Sequence, residues 1–475
     1  MPIIYSARWV LPIASPLIED GAVAVDDSKI SGVGTRNEII SRFPDSRIED
    51  FGQAAILPGL VNAHAHLELT VMRGFLEPEE GNFFAWLRKL TVARMAMTSE
   101  DLLVSATWGA IEAARAGITC AADASSAATE AMKALRQVGM RGIVYQESFG
   151  PDPKLAAENV AKLREQISSM RDIENELVRV GVSPHAPYTV SAPQLELISR
   201  LAIEQKLPVM MHAAESQAEK LFMLEGRGFF TEGLSARGIQ WQAPGVSTIQ
   251  YLAHHGILET KPLLAHCVNV DDADLDLIKQ SGAGIGHCPK SNAKLGHGRA
   301  PLQKFISHQI RLGLGSDSVA SNNTCDLLEE ARFATLLSRT DRGISPTVRE
   351  GSRYSDINET LRALPDGRAN APVSAEQTLL AATLGGARAL GLDNQIGALV
   401  EGMQADMAVI DLNGAHQQPV NNPFEALVFS SSGRDVVMTM VAGKEIYRNG
   451  QVVTVDESES ESRLARMVLS GPFVG

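Results

Sequence analysis

Leu57-Pro-Gly-Leu-Val-Asn-Ala-His-Ala-His66 carries an apolar run that ends on two histidines one residue apart. The run predicts a strand over residues 55–66. Side chains two apart on a strand share a face, so both imidazoles point the same way where the strand stops. The pattern returns downstream. Apolar runs over residues 118–122, 142–147, 178–183, 208–212, 262–266, 283–287 and 311–315 predict seven more strands, separated by helical segments. Helix starts are marked by Thr98-Ser-Glu-Asp101, Ser191-Ala-Pro-Gln194 and Ser374-Ala-Glu-Gln377, each with the spacing of a capping box. Eight short strands alternating with helices predict a parallel (β/α)8 TIM barrel over residues 57–392.

The two ends have a different texture. Residues 21–34 alternate apolar and polar around a turn, as in a hairpin. Residues 405–412 read as one strand and 436–447 as a paired one. These stretches predict a small β-sandwich domain assembled from residues 1–56 and 393–455, with two separate β caps as the alternative. Asp456-Glu-Ser-Glu-Ser-Glu-Ser462 reads as a solvated acidic linker, followed over Leu464–Leu469 by a docked final turn or helix. The expected domains are thus the composite sandwich, the barrel, and an acidic linker and tail over 456–475.

Of 475 residues, 44% are hydrophobic and 21% charged, a globular composition. A formal charge of -13 disfavours a nucleic-acid binder, which needs clustered cations. No apolar run approaches the ~18 residues of a membrane span, and Pro12 and Pro16 interrupt the first segment, so neither a membrane protein nor a signal peptide is expected. Cys120, Cys267, Cys288 and Cys325 are widely spaced, which points to reduced thiols and a cytoplasmic location rather than to disulfides or a cysteine cage for zinc.

The candidate chemistry gathers where the strands end. His64 and His66 close the first; Met210-Met-His212-Ala-Ala-Glu215 closes the fifth; His266 closes the sixth; and Asp317 follows the eighth. A lone His-x-His arises easily by chance. Four histidines and an aspartate at one level of a barrel do not, because a barrel places its site on that face. Imidazole and carboxylate suit Zn(II) or Fe(II), and such a set leaves a position open for water. Glu215, three residues after His212, is placed to carry protons. There is no H-E-x-x-H helix, no P-C-x-x-C pair after His66-Leu-Glu68, and no phosphate loop.

With these segments together, the chain resembles the amidohydrolase superfamily, in its branch of metal-dependent aminohydrolases and chlorohydrolases. The likeness runs from the Leu57–His66 motif to Gly402-x-x-Ala405-Asp406. It implies that His64, His66, His212 and Asp317 bind one divalent metal, zinc or alternatively iron(II). It makes Glu215 the proton shuttle, His266 a neighbour of the attacking hydroxide, Asp317 a catalytic acceptor of protons, and His185 of Ser183-Pro-His-Ala-Pro-Tyr-Thr189 a substrate contact. Strand four ends without the lysine that bridges two ions in two-metal relatives, which favours one metal.

The activity implied is hydrolytic deamination of an adenosine-like or other purine-type N-heterocycle, with aminodeoxyfutalosine and S-adenosylhomocysteine as expected substrates. Cys288-Pro-Lys-Ser-Asn-Ala-Lys-Leu-Gly296 and Asp317-Ser-Val-Ala-Ser-Asn322 support it. Trp86 is expected to line the ring pocket and Arg73 to pair with a polar substrate group. One departure stands out. Methylthioadenosine deaminases carry a ribose-binding glutamate after the Trp-Leu segment, and Arg88-Lys-Leu-Thr-Val-Ala-Arg94 offers none. The alternatives are an s-triazine amino- or chlorohydrolase, a guanine or pterin deaminase, and a metal-free scaffold barrel, which would be expected to lack ligands. The resemblance also implies a homo-oligomer.

Overall fold

The computed structural model describes residues 1–340, 372–471 and 473. Eight short parallel strands hold the middle of the chain: Leu60–Ala65, Ile118–Ser125, Arg141–Ser148, Val178–Pro184, Met210–Ala213, Leu263–His266, Gly284–His287 and Arg311–Leu314. They pair in sequence order as two four-stranded parallel layers. A single parallel bridge lies at each seam, Val182 with Val209 and Ala65 with Asp317. The helices between them bury apolar faces against the strands, as a parallel sheet requires. The architecture is that of a TIM barrel.

The predicted first strand is two strands. Ala54–Pro58 pairs antiparallel with Met407–Asp411 and parallel with Ile3–Val10, whereas Leu60–Ala65 opens the barrel layer. The expected boundary after residue 56 therefore falls inside a strand of the terminal sheet. Gly59 separates the two because a Cβ there would stand 2.1 Å from Thr119.

The terminal strands come from both ends, as expected, but not as two separately bonded layers. One continuous ladder carries eight of the nine, from Gln451–Val452 to Lys29–Thr35, and the ninth, Arg47–Asp50, pairs with Ile3–Val10 beside it. Its faces follow the two-residue alternation of a strand. Ile56 and Val409 pack with Val10 and Met438, while Ala55, Leu57 and Ile410 join the core that includes Ile111 and Ala114 of helix Ser99–Arg115.

Two local expectations change. Thr98 and Ser374 cap helices Ser99–Arg115 and Ala375–Leu380 with full boxes. Ser191 precedes helix Ala192–Gln205 without a side-chain cap, because Gln194 is fully buried and its amide donates instead to Ser148 Oγ (3.0 Å) and Phe149 O (3.1 Å). The acidic stretch after 456 is no linker either: Asp456 caps a helix over Glu457–Ser470. Glu457 pairs with Arg115 at 2.9 Å, and Met467 packs with Trp86 and Leu69. No helix among the described residues is long and apolar enough to cross a membrane.

Candidate functional site

The strand ends converge on a cavity of about 700 Å³ lined by His66, His185, His212, Glu215, His266 and Asp317, with Trp86 and Phe83 on its apolar wall. Beneath it His64 is fully buried. Donor atoms of His64, His66 and Asp317 lie within 4.8 Å of one another, as do those of His64, His212 and His266.

The ring orientations follow from their outer partners. His212 Nδ1 faces the His185 carbonyl at 3.0 Å, and a carbonyl only accepts, so the proton sits on Nδ1 and Nε2 presents a bare lone pair. His64 Nδ1 faces the Met210 thioether at 3.2 Å, which leaves Nε2 without a hydrogen-bond partner, 3.5 Å from Asp317 Oδ1. His66 Nε2 stands 3.6 Å from the same oxygen and 3.2 Å from His212 Nε2. Asp317 Oδ2 accepts from Ser291 Oγ (2.5 Å) and Ser321 Oγ (3.1 Å), so Oδ1 is the oxygen turned to the imidazoles. Nitrogen lone pairs crowded against a carboxylate suit a shared cation. The residues present therefore fit one divalent metal.

The charge states of His64, His212 and Asp317 agree with that fit. Burial drives His64 down to about 4 and His212 well below the usual range, so both are neutral bases at pH 7. Burial pushes Asp317 up, but the neighbouring imidazoles outweigh it and hold the carboxyl well below its usual range. His66 also feels burial, yet Glu147 and Asp317 raise it.

Glu215 stands apart from the donor cluster. Its Oε1 lies 3.7 Å from His266 Nε2 and 3.2 Å from His297 Nε2. Burial raises its carboxyl, but those two imidazoles more than offset this and bring it to about 2. His266 is oriented by Asn292, whose Oδ1 meets Nδ1 at 2.9 Å. Four residues at these strand ends have left-handed backbones unusual for non-glycine residues: Ala214 (φ 52), His266 (φ 75), Cys267 (φ 47) and Asp317 (φ 57).

His64, His66, His185, His212, Glu215, His266 and Asp317 are thus brought together, and Trp86 lines the same cavity. Arg73 is not. Its guanidinium is committed to Glu112 and to the Asn323 carbonyl (2.7 Å), outside the cavity, which corrects its expected role as a substrate contact. Sequence reasoning missed His297 and Glu147, and gave no role to Ser291 and Asn292 within the Cys288–Gly296 segment. Glu147 closes the predicted third strand and carried the same signal as His212. Ser291 and Asn292 lie on the short helix Pro289–Lys294, where no periodicity marks them.

The amidohydrolase family model matches residues 55–446. The chain is 32% identical over 457 residues to a 5-methylthioadenosine/S-adenosylhomocysteine deaminase of Syntrophus aciditrophicus (strain SB), covering 95% of this chain and 92% of that protein. An adenosine deaminase from Xanthomonas campestris with bound zinc superposes with a TM-score of 0.78 at 26% identity, covering 98% of this chain and 97% of that one. The atrazine chlorohydrolase of Arthrobacter aurescens TC1, complexed with zinc, reaches a TM-score of 0.80 at 22% identity over 98% and 100% of the two chains, a likeness of fold. The chain belongs to the amidohydrolase family.

Proposed function

We propose that this chain is a metal-dependent hydrolytic deaminase acting on the exocyclic amine of an adenosine-like nucleoside. The observation that carries the reading is the pairing of one cation-binding cluster with a separate, ionised and buried glutamate beside it. His64, His66, His212 and Asp317 would hold one divalent ion, zinc or iron(II). When bound, such an ion makes water a nucleophile near neutral pH. Glu215, held ionised at rest, takes a proton as attack begins and hands it to the ring nitrogen beside the amine-bearing carbon. That carbon can then accept a fourth bond without full negative charge building on the ring. Asp317 takes the second proton and returns it to the amine, which leaves as ammonia. His266 stays oriented by Asn292 beside the attack site, and His185 contacts the ring.

In this reading the two four-stranded layers are halves of one closed (β/α)8 barrel, which the bridges at both seams support. The adenosine-type substrate is favoured by the relative from Syntrophus aciditrophicus and by the deaminase from Xanthomonas campestris. S-adenosylhomocysteine and 5-methylthioadenosine head the panel to test, with aminodeoxyfutalosine beside them. The assay is ammonia release by zinc-loaded protein from those nucleosides, from guanine and pterins, and from s-triazines. Turnover of nucleosides above all others is expected. Turnover confined to triazines or to free purines would refute the reading, and no turnover with zinc or iron would point to a scaffold.

A further inference from the structure

Two buried carboxylates line the cavity wall beside His66, and their bonding differs. Glu68 is saturated. Oε1 accepts from Arg94 Nε (2.9 Å) and Ser126 N (3.3 Å), and Oε2 from Ser125 Oγ and Ala127 N (2.7 Å). Glu147, at the end of the third parallel strand, has one committed oxygen: Oε2 accepts from Ser126 Oγ at 2.7 Å. Among the described residues no hydrogen bond reaches Oε1, and His185 Nε2 stands 3.9 Å from it. An ionised carboxylate oxygen is acceptor-only, so Oε1 is open to a donor in the cavity.

From that bonding we infer that Glu147 Oε1 accepts the hydroxyl protons of the substrate's ribose. The inference rests on the proposed nucleoside reading. The metal cluster and Glu215 occupy one side of the cavity and take the amine-bearing edge of the ring. His185 stands beside the cluster, its ring 4.7 Å from that of His212, and Glu147 Oε1 lies 3.9 Å from its Nε2. A purine held by its amine edge against the cluster and contacted by His185 presents its sugar to Glu147. Vicinal hydroxyls supply two donors to a carboxylate, the arrangement by which acidic residues read ribose elsewhere. Arg94 is paired with Glu68, its Nε 2.9 Å from Glu68 Oε1.

The test compares kcat/KM for adenosine and 2′,3′-dideoxyadenosine in zinc-loaded wild type and Glu147→Gln, with calorimetric Kd values for inosine and 2′,3′-dideoxyinosine as a readout independent of turnover. The wild type should prefer the ribosides by about 10- to 100-fold in both measurements, and Glu147→Gln should shrink that ratio to about 3-fold or less. A ratio that persists in the variant while both substrates fall alike would mean that Glu147 only orients His185, and would overturn the inference. So would a wild type indifferent to the hydroxyls. Because donors of Glu147, His185 and His212 also lie within 4.8 Å of one another, metal content is measured on both proteins. Two equivalents in the wild type falling to one in the variant would make Glu147 a metal ligand and refute the sugar role. Failure of every nucleoside to react defeats the proposed function itself, an outcome distinct from reaction without discrimination.

Discussion

Replacing Glu215 by glutamine is the sharpest probe of the proposed chemistry, because shape is kept and proton transfer is lost. The loop that carries it is held independently of its side chain: Glu219 accepts from the Ala214 amide at 2.8 Å and from the Glu215 amide at 3.0 Å. The carboxylate belongs to none of the clustered donor sets, so metal should remain. What disappears is the base and the counter-charge 3.2 Å from His297. Burial lowers His297 and Glu215 raises it, so the variant should also make that imidazole easier to deprotonate. Loss of positioned acid–base help lowers turnover by about 10²- to 10⁴-fold. Because the charge on His297 shifts as well, a fall of about 10³-fold in kcat is expected, or about 4 kcal/mol of barrier. The measurement is initial-rate ammonia release beside elemental analysis of the same preparation. Turnover within tenfold of wild type at full metal occupancy would refute the shuttle role, and loss of the metal would refute its separation from the ligands.

Four further outcomes are expected. Asp317→Ala should lose bound metal and activity together, read by elemental analysis, since Oδ1 is the oxygen both His64 and His66 face; full occupancy would show that the donor set is misassigned. Arg73→Ala should change kcat/KM by less than about threefold, because that guanidinium serves Glu112 rather than the cavity, and exposed pairs of this kind contribute little; a tenfold loss would restore its role as a substrate contact. Burial raises Glu330 to about 8, above its unfolded value near ~4.3, so the folded state binds its proton more tightly and stability falls as pH rises between those values. Glu330→Gln should therefore flatten the fall in melting temperature between pH 5.5 and 8, and parallel curves would contradict the buried proton. Deleting residues 457–475 should raise KM more than it lowers kcat, because Leu464, Met467 and Val468 pack with Trp86 and Leu87 on the helix that walls the cavity; unchanged KM would show that the helix does not position the wall.

The donors were legible in sequence because chemistry and periodicity coincide there. An apolar run that stops on His212 or His266 announces both a strand and what stands at its mouth. His287 shows that this signal alone is insufficient. It also ends a parallel strand, yet its ring lies edge-on to Phe305 at 6.2 Å, and burial drives it to about 3. What stayed hidden depends on contacts distant in the chain. Residues 54–65 are apolar nearly throughout, so nothing local reveals that the run serves two sheets; the break is imposed by Thr119 against Gly59. Ser191 has the letters of a capping box, but Gln194 is drawn away by the end of the third strand. His297 follows a short helix with no pattern of its own and is identified only by its distance to Glu215. The acidic run after 456 looked solvated because Ser and Glu dominate it, whereas the apolar contacts that dock the helix come from its second half.

The floor of the site explains why such widely separated donors can be held in register. Gly315 approaches His64 so closely that a Cβ would stand 2.9 Å from the His64 backbone nitrogen, and one at Gly286 would meet the Ala63 carbonyl at 3.1 Å. Glycines at these positions let the seventh and eighth strands press against the first directly beneath the cluster. On that floor the left-handed residues turn the chain sharply at the strand mouths, each at a cost of about 1–3 kcal/mol. The turns are secured from neighbouring strands: Cys267 N donates to Ala213 O at 3.1 Å, Asn269 N to Ala214 O at 2.8 Å, and Asp317 N to His64 O at 2.9 Å. Ala214, Cys267 and Asp317 are thus each tied to the strand or loop bearing another donor. His212, His266 and Asp317 are aimed by backbone bonds between strand ends rather than by independent loops, which is how donors up to 253 residues apart in sequence, His64 and Asp317, are held within a few ångströms of one another.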